Sequence, residues 1–389
     1  MERLGLYLHI PFCRSKCLYC DFCSFPRPQE KTVSAYVAAL CRDLERRAAD
    51  CRDRTVDTVY FGGGTPTVLP DGDVETILDT VCKHYKISPD AEITAECNPA
   101  TGGYSYFSAM RRAGFNRLSI GLQSIHKTEL RALGRIHDRE AFERTWNDAR
   151  HAGFDNLSVD VMFGIPYQTP ESFTETLRFV CSLEPEHLSA YALTLEEGTP
   201  LFRQAPRLPM PEEDAVREMY LAMIPLLEAN GLCQYEISNF ARVGYESRHN
   251  RKYWEMEEYL GFGPGAYSDF GGVRSGNSRD LESYLRGEEI VAERETPSVR
   301  IRENEFVMLR MRLREGLRIR AFTERFGHPP TAFLEAFSAY RAGGFLRETG
   351  DGIAFTPKGF LVSNTILSEV LDFSPENDAE NQKKTGKKP

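Results

Sequence analysis

The run LGLYLHIPFCRSKCLYCDFCSF, Leu4 to Phe25, joins a short strand-type segment to four cysteines within eleven positions, Cys13 to Cys23. Such a thiol cluster has three destinations: a disulfide framework, a zinc site or an iron–sulfur cluster. The N-terminus MERLGLYLHIPF lacks a basic region followed by an apolar core and a small-residue cleavage site. The other six cysteines, Cys41, Cys51, Cys82, Cys97, Cys181 and Cys233, are scattered. That usage fits a reduced, cytoplasmic protein rather than a stapled secreted domain. A zinc site would take Cys17, Cys20 and a second pair roughly 12–20 residues on; no such pair follows. Cys13, Cys17 and Cys20, spaced C-x3-C-x2-C, suit a four-iron cubane held by three thiolates. Its fourth iron is then open to substrate or cofactor.

Outward from this run, β-type segments alternate with helical ones. Leu4–Ile10, Asp57–Gly63, Ala91–Glu96, Asn116–Gln123, Asn156–Gly164 and His187–Thr194 read as strands. Between the first two, Val33, Tyr36, Val37, Leu40 and Leu44 mark one helical face. Similar patterns fill roughly 71–86, 104–113, 138–152 and 170–183. Repeated strand–helix alternation means a parallel sheet with helices outside. Six units are too few for a closed eight-stranded barrel. The cysteines follow strand one and GGGTP follows strand two, and ECNP, GLQS, DVMFGIP and LTLEEGT end the next four. A site lined from every strand end suits an α/β partial (β/α)6 barrel better than a doubly wound sheet with one switch point.

The expected organisation is a barrel over 1–200, a barrel extension over 201–298 and a small, mainly helical domain over 299–373. The polar stretch 374–389 is expected to be disordered. A net charge of −9 argues against a nucleic-acid partner, and the basic run Arg310 to Arg320 reads as a solvated face. No apolar run reaches the roughly 18–20 residues of a membrane span.

These motifs resemble the radical S-adenosylmethionine (SAM) superfamily, whose signature is C-x3-C-x2-C after the first strand of a six-unit partial barrel. YLHIPFC, YFGGGTPT, TAECNP, RLSIGLQS, LGRIHD, SVDVMFGIPYQT and YALTLEEGTPL, in that order over roughly 1–270, resemble the branch containing the oxygen-independent coproporphyrinogen oxidases. The resemblance implies a [4Fe-4S] cluster on Cys13, Cys17 and Cys20, with Cys23 outside the ligand set. It implies that the open iron chelates SAM, whose reductive cleavage yields a 5′-deoxyadenosyl radical. It also implies that Tyr7, Gly63, Gly64, Thr65, Glu96, Gln123, Arg135 and Asp160 hold SAM. Gly62–Gly64 would let the backbone approach the ligand and offer bare N–H groups to its carboxylate. Asp160 and Glu96 would accept from ribose hydroxyls or an ammonium, and Arg135 would clamp a carboxylate.

CDF after the third cysteine, YEISNFA, HNRKYW and YLGFGPGAYS resemble the heme chaperones of that branch. The oxidases carry a fourth cysteine where this chain has Phe22, and a longer arm before the first strand. The resemblance therefore implies a protein that binds heme as cargo and delivers it to an acceptor protein, with oxidative decarboxylation of coproporphyrinogen III as the alternative. In HNRKYW, His249 is the expected axial ligand of heme iron. Tyr253 and Trp254 would supply flat surfaces for the ring.

Overall fold

The computed structural model describes residues 2–99 and 101–374. The tail expected to be disordered falls, from 375 on, outside the described residues. The chain divides into two compact units, Met1–Thr296 and Pro297–Pro389.

In the first unit six parallel strands follow one another in sequence: β1 (Glu2–Ile10), β2 (Arg54–Gly63), β3 (Ile87–Cys97), β4 (Arg117–Gln123), β5 (Leu157–Phe163) and β6 (His187–Ala192). Each pairs with its predecessor. Helices return the chain: α1 (Glu30–Arg47), α2 (Asp73–His84), α3 (Tyr104–Ala113), α4 (Lys127–Ala132) with α5 (Arg139–His151), and α6 (Pro170–Ser182). Their local signals are ordinary. Val33, Tyr36, Val37, Leu40 and Leu44 are all buried on α1, Asp138 caps α5, and Thr169 with Ser172 forms a capping box on α6.

Residues 201–296 continue the same sheet. After α7 (Glu213–Ala229), the short strands β7 (Cys233–Gln234) and β8 (Asn239–Ala241) add antiparallel beside β6. Then α8 (Arg248–Glu255) leads to β9 (Tyr259–Phe262), which adds parallel to the other edge at β1, with Tyr7 opposite Gly261. From there β10 (Tyr267–Phe270), β11 (Val273–Asn277) and β12 (Val291–Glu295) continue antiparallel. The twelve strands run β12-β11-β10-β9-β1-β2-β3-β4-β5-β6-β8-β7, so the sheet stays open. The second unit is mainly helical around a three-stranded antiparallel sheet, with Phe306, Phe322, Phe337 and Phe355 in its core.

Candidate functional site

The C-terminal ends of the parallel strands enclose a cavity of about 620 Å³ within the first unit. Cys13, Cys17 and Cys20 line it from the loop after β1, with Gly63, Gly64, Thr65, Glu96, Gln123, Arg135 and Asp160 from the following units. Ten of the twelve residues expected from the sequence thus meet in one space. Tyr7 and His249 do not line it.

The cysteine loop is held by backbone. Phe12–Cys13 pairs with Phe25–Pro26, and Leu18 donates to the Leu133 carbonyl at 3.0 Å. Thr65 Oγ1 reaches Cys13 Sγ at 3.7 Å. Burial pushes the Cys13 and Cys20 thiols up, with Cys20 and Cys17 adding to the shift at Cys13 and Cys17 adding to it at Cys20. Among the described residues no three His, Cys, Asp or Glu side chains converge as ligands of a single ion would. A cubane needs no such convergence, because each thiolate binds its own iron. The donor set fits an iron–sulfur cluster and not a lone zinc. Cys23 is absent from the lining; its Sγ faces the Arg279 carbonyl at 3.9 Å.

The glycines act differently from expectation. Gly63 N–H donates to Glu96 Oε2 at 3.1 Å. Gly64 N–H donates to the Ile10 carbonyl and Thr65 N–H to the Phe12 carbonyl, each at 2.8 Å. No bare N–H cradle remains at Gly63 and Gly64. A Cβ at Gly64 would sit 2.6 Å from the Phe12 carbonyl oxygen, so this glycine lets the cysteine loop lie against the end of β2.

The polar cradle lies instead at the end of β4. A Cβ on Gly121 would stand 2.9 Å from Gln123 Nε2, 3.0 Å from Arg135 Nη2 and 3.2 Å from Asn98 Oδ1, so three polar groups crowd over this glycine. Gln123 adopts φ 67°, a costly left-handed conformation for a non-glycine that concentrates at functional sites. Arg135 donates to Asn98 Oδ1, and Asn98 donates to Thr65 Oγ1 at 2.6 Å. Asp160 accepts from Ser119 at 3.0 Å. Glu96 accepts from Tyr60 at 3.0 Å; burial, with the Asp160 charge second, pushes its carboxyl up to about 7.

Tyr7, expected at the cofactor, turns away from the cavity. Its hydroxyl meets His9 Nδ1 at 3.1 Å and its ring stacks on Tyr60. His249, expected as an iron ligand, is 1% exposed. Its Nδ1 is bonded to Thr58 Oγ1 and its Nε2 to the Tyr253 hydroxyl, both at 2.8 Å. Its ring stacks on Tyr60 at 5.1 Å. Neither imidazole nitrogen is offered to iron. The reason is local: Glu92 accepts the N–H groups that start α8, and Lys252 pairs with Asp57 at 2.7 Å, so the helix is tied to β2 and β3.

Sequence reasoning missed Tyr60, Asn98, Arg117, Ser119, Ser189 and Tyr191, all of which line the cavity. One signal was available. In RLSIGLQ the alternate positions 117, 119, 121 and 123 fall on a single face of a strand.

Family comparison agrees with this architecture. Residues 7–180 match the Radical SAM superfamily and residues 302–362 the HemN C-terminal domain. The chain is 36% identical to heme chaperone HemW of Escherichia coli, over 95% of this chain and 98% of that one. It is 33% identical to heme chaperone HemW of Bacillus subtilis, over 94% and 98%. The solved structure of the E. coli coproporphyrinogen III oxidase HemN, described as a radical SAM enzyme, superposes with a TM-score of 0.84 at 24% identity, covering 96% of this chain and 91% of that one. At that identity the likeness establishes the fold. With a radical SAM barrel and 33–36% identity to these two HemW proteins over nearly its full length, the chain belongs to the HemW family within the radical SAM superfamily.

Proposed function

We propose that this protein is a heme chaperone that carries a [4Fe-4S] cluster and SAM in its barrel and passes heme to an acceptor protein in the cytoplasm. The observation that carries the reading is the single cavity in which three cysteines from one loop meet Glu96, Gln123, Arg135 and Asp160 from successive units. Among the described residues no helix is long and apolar enough to cross a membrane. A bound cluster supplies the electron for reductive cleavage of SAM.

Cys13, Cys17 and Cys20 would hold the cluster, and Thr65 would steady Cys13. Arg135 and Gln123 would orient the carboxylate end of SAM, while Glu96 and Asp160 would take its ammonium or ribose hydroxyls. Gly63 and Gly64 serve this site indirectly, by fixing Glu96 and the cysteine loop. Tyr7 would act through Tyr60, whose hydroxyl holds Glu96. Heme is assigned as cargo on the names of the relatives, and His249 is not assigned as its ligand.

Glu96 makes the SAM affinity pH-dependent. Burial first, then the Asp160 charge, hold its carboxyl up at about 7, and a cationic ligand beside it favours the ionised form. Binding below pH 7 must therefore displace a proton. Affinity should rise by up to about tenfold per pH unit below 7 and level off above it. Calorimetry at pH 6, 7 and 8 checks this, and Glu96→Gln should flatten the profile while weakening binding by about 1.5–3 kcal/mol.

The chaperone reading is favoured over the oxidase by Phe22, 68% exposed on the cysteine loop where the oxidases carry a cysteine. Anaerobically reconstituted protein should take up heme and leave coproporphyrinogen III unchanged in a parallel assay. Release of two carbon dioxides per porphyrin would replace the chaperone with the oxidase.

A further inference from the structure

We propose that Asn98 and Thr65 are positioning residues for the iron–sulfur cluster: the hydrogen-bonded chain Arg135–Asn98–Thr65 ends on the sulfur of Cys13 and raises the reduction potential of the cluster. This rests on the reading that Cys13, Cys17 and Cys20 hold the cluster.

The direction of every bond in the chain is fixed by its first member. A guanidinium donates and cannot accept. Arg135 Nη1 meets Asn98 Oδ1 at 2.5 Å, so the oxygen of this amide faces the arginine and its nitrogen faces the other way. Asn98 Nδ2 then donates to Thr65 Oγ1 at 2.6 Å. A hydroxyl has one hydrogen, and with Oγ1 already accepting, that hydrogen points along the 3.7 Å contact to Cys13 Sγ. Thr65 is 1% exposed, which keeps bulk water from competing for the bond.

The three members come from three different units and are each tied by backbone. Thr65 N–H donates to the Phe12 carbonyl at 2.8 Å, the Asn98 carbonyl accepts from Thr101 N–H at 3.0 Å, and Arg135 N–H donates to the Leu130 carbonyl at 2.9 Å. The guanidinium charge polarises the amide and the amide polarises the hydroxyl, so the donor at the sulfur is stronger than a lone threonine would make it. Reduction of the cluster adds one electron and breaks no bond, and it makes the ligating sulfurs more negative. A donor aimed at one of them stabilises the reduced form more than the oxidised one, and hydrogen bonds to the sulfurs are among the levers that set such potentials. The same guanidinium holds Nη2 over Gly121 beside Gln123, so the clamp read for the SAM carboxylate and the sulfur of Cys13 share one polar chain.

The test is a spectroelectrochemical titration of the anaerobically reconstituted full chain without SAM, which keeps the result independent of the SAM reading. At the wild-type midpoint, Thr65→Val should lower the ratio of reduced to oxidised cluster about fivefold and Asn98→Ala about twofold. Thr65→Ser, which keeps the hydroxyl, should keep the wild-type midpoint. Because Asn98 acts through Thr65, the double variant Thr65→Val with Asn98→Ala should match Thr65→Val alone. An unchanged midpoint in Thr65→Val overturns the proposal, as does an equal fall in Thr65→Ser and Thr65→Val, which would trace the effect to packing. A double variant that loses the product of the two single effects overturns it as well, since Asn98 would then act on its own. Should Thr65→Val fail to keep its iron, Asn98→Ala decides: a lowered midpoint supports the chain and an unchanged one overturns it. Wild type that takes up fewer than about four irons per chain would instead overturn the cluster reading itself.

Discussion

Alanine at any one of Cys13, Cys17 and Cys20 should leave anaerobically reconstituted protein almost free of iron and without the broad visible absorption of a cluster, whereas Cys23→Ala should keep both. The difference follows from where the loop sends each sulfur. Cys13 is fixed in an extended pair with Pro26, and its carbonyl also accepts from Arg27 N–H at 2.9 Å. Cys17 and Cys20 close a turn, with Cys20 N–H on the Cys17 carbonyl at 3.2 Å. All three face the cavity. Cys23 is buried outside it: its carbonyl accepts from His9 at 2.7 Å. A Cβ on Gly265 would lie 2.9 Å from its own Cβ. Turning Cys23 toward the cavity would break the loop that presents the others. A cubane with three protein thiolates has none to spare, so one loss should be close to all-or-none. Loss of iron from Cys23→Ala with retention in Cys13→Ala would reverse the ligand assignment. Because Cys13 is packed, a melting curve should accompany each variant; unchanged melting with lost iron is the expected pair of results.

The six parallel strands were legible because strands covered on both faces read as short apolar runs between turn residues. Asn116–Gln123 in the sequence became Arg117–Gln123 in the fold, and Asn156–Gly164 became Leu157–Phe163. The chemistry was legible for the same topological reason: residues after consecutive parallel strands share one end of the barrel. The outer sheet was not. YLGFGPGAYSDF reads as aromatics and glycines in loops, yet it contains β9 and β10. Its register depends on a distant partner, β1, and on Gly261, where any Cβ would strike the Tyr267 carbonyl. Such long-range pairing leaves no local period to read. The GGGTP turn misled in another way. Glycine tells that something approaches closely, but not whether the visitor is a ligand or, as here, the chain's own loop. Arg117 was passed over because one charged residue opening an apolar strand looks like a solvated strand end.

His249 shows the same limit, and it carries the last prediction. Replacing it with alanine should cost about 3–5 kcal/mol of stability, in the range of an aromatic deletion from a core, because the ring stacks on Tyr60 and bonds both Thr58 and Tyr253. In a unit of this size that corresponds to a fall in melting temperature on the order of 5–10 °C. The cost should depend on pH with a definite sign. Burial first, then the nearby Lys252 and Arg117 charges, hold the folded imidazole down at about 3, while in the unfolded chain it titrates near 6.5. Between those values the unfolded state binds the extra proton, so wild-type stability drops as pH falls from about 6.5, by up to about 1.4 kcal/mol per unit. Above 6.5 the group contributes no pH dependence. His249→Gln cannot titrate, and His9, His137 and His187 remain in both proteins, so the gap between wild type and variant should narrow as urea melts are moved from pH 7.5 to pH 4. A gap that stays constant would mean that the imidazole is not buried neutral. The heme complex separates the remaining readings. Coincident Soret bands for wild type and His249→Ala make the imidazole purely structural. A shifted band in a stably folded variant would mean that heme draws Nε2 away from Tyr253 and lifts α8 from its ties to Glu92 and Asp57.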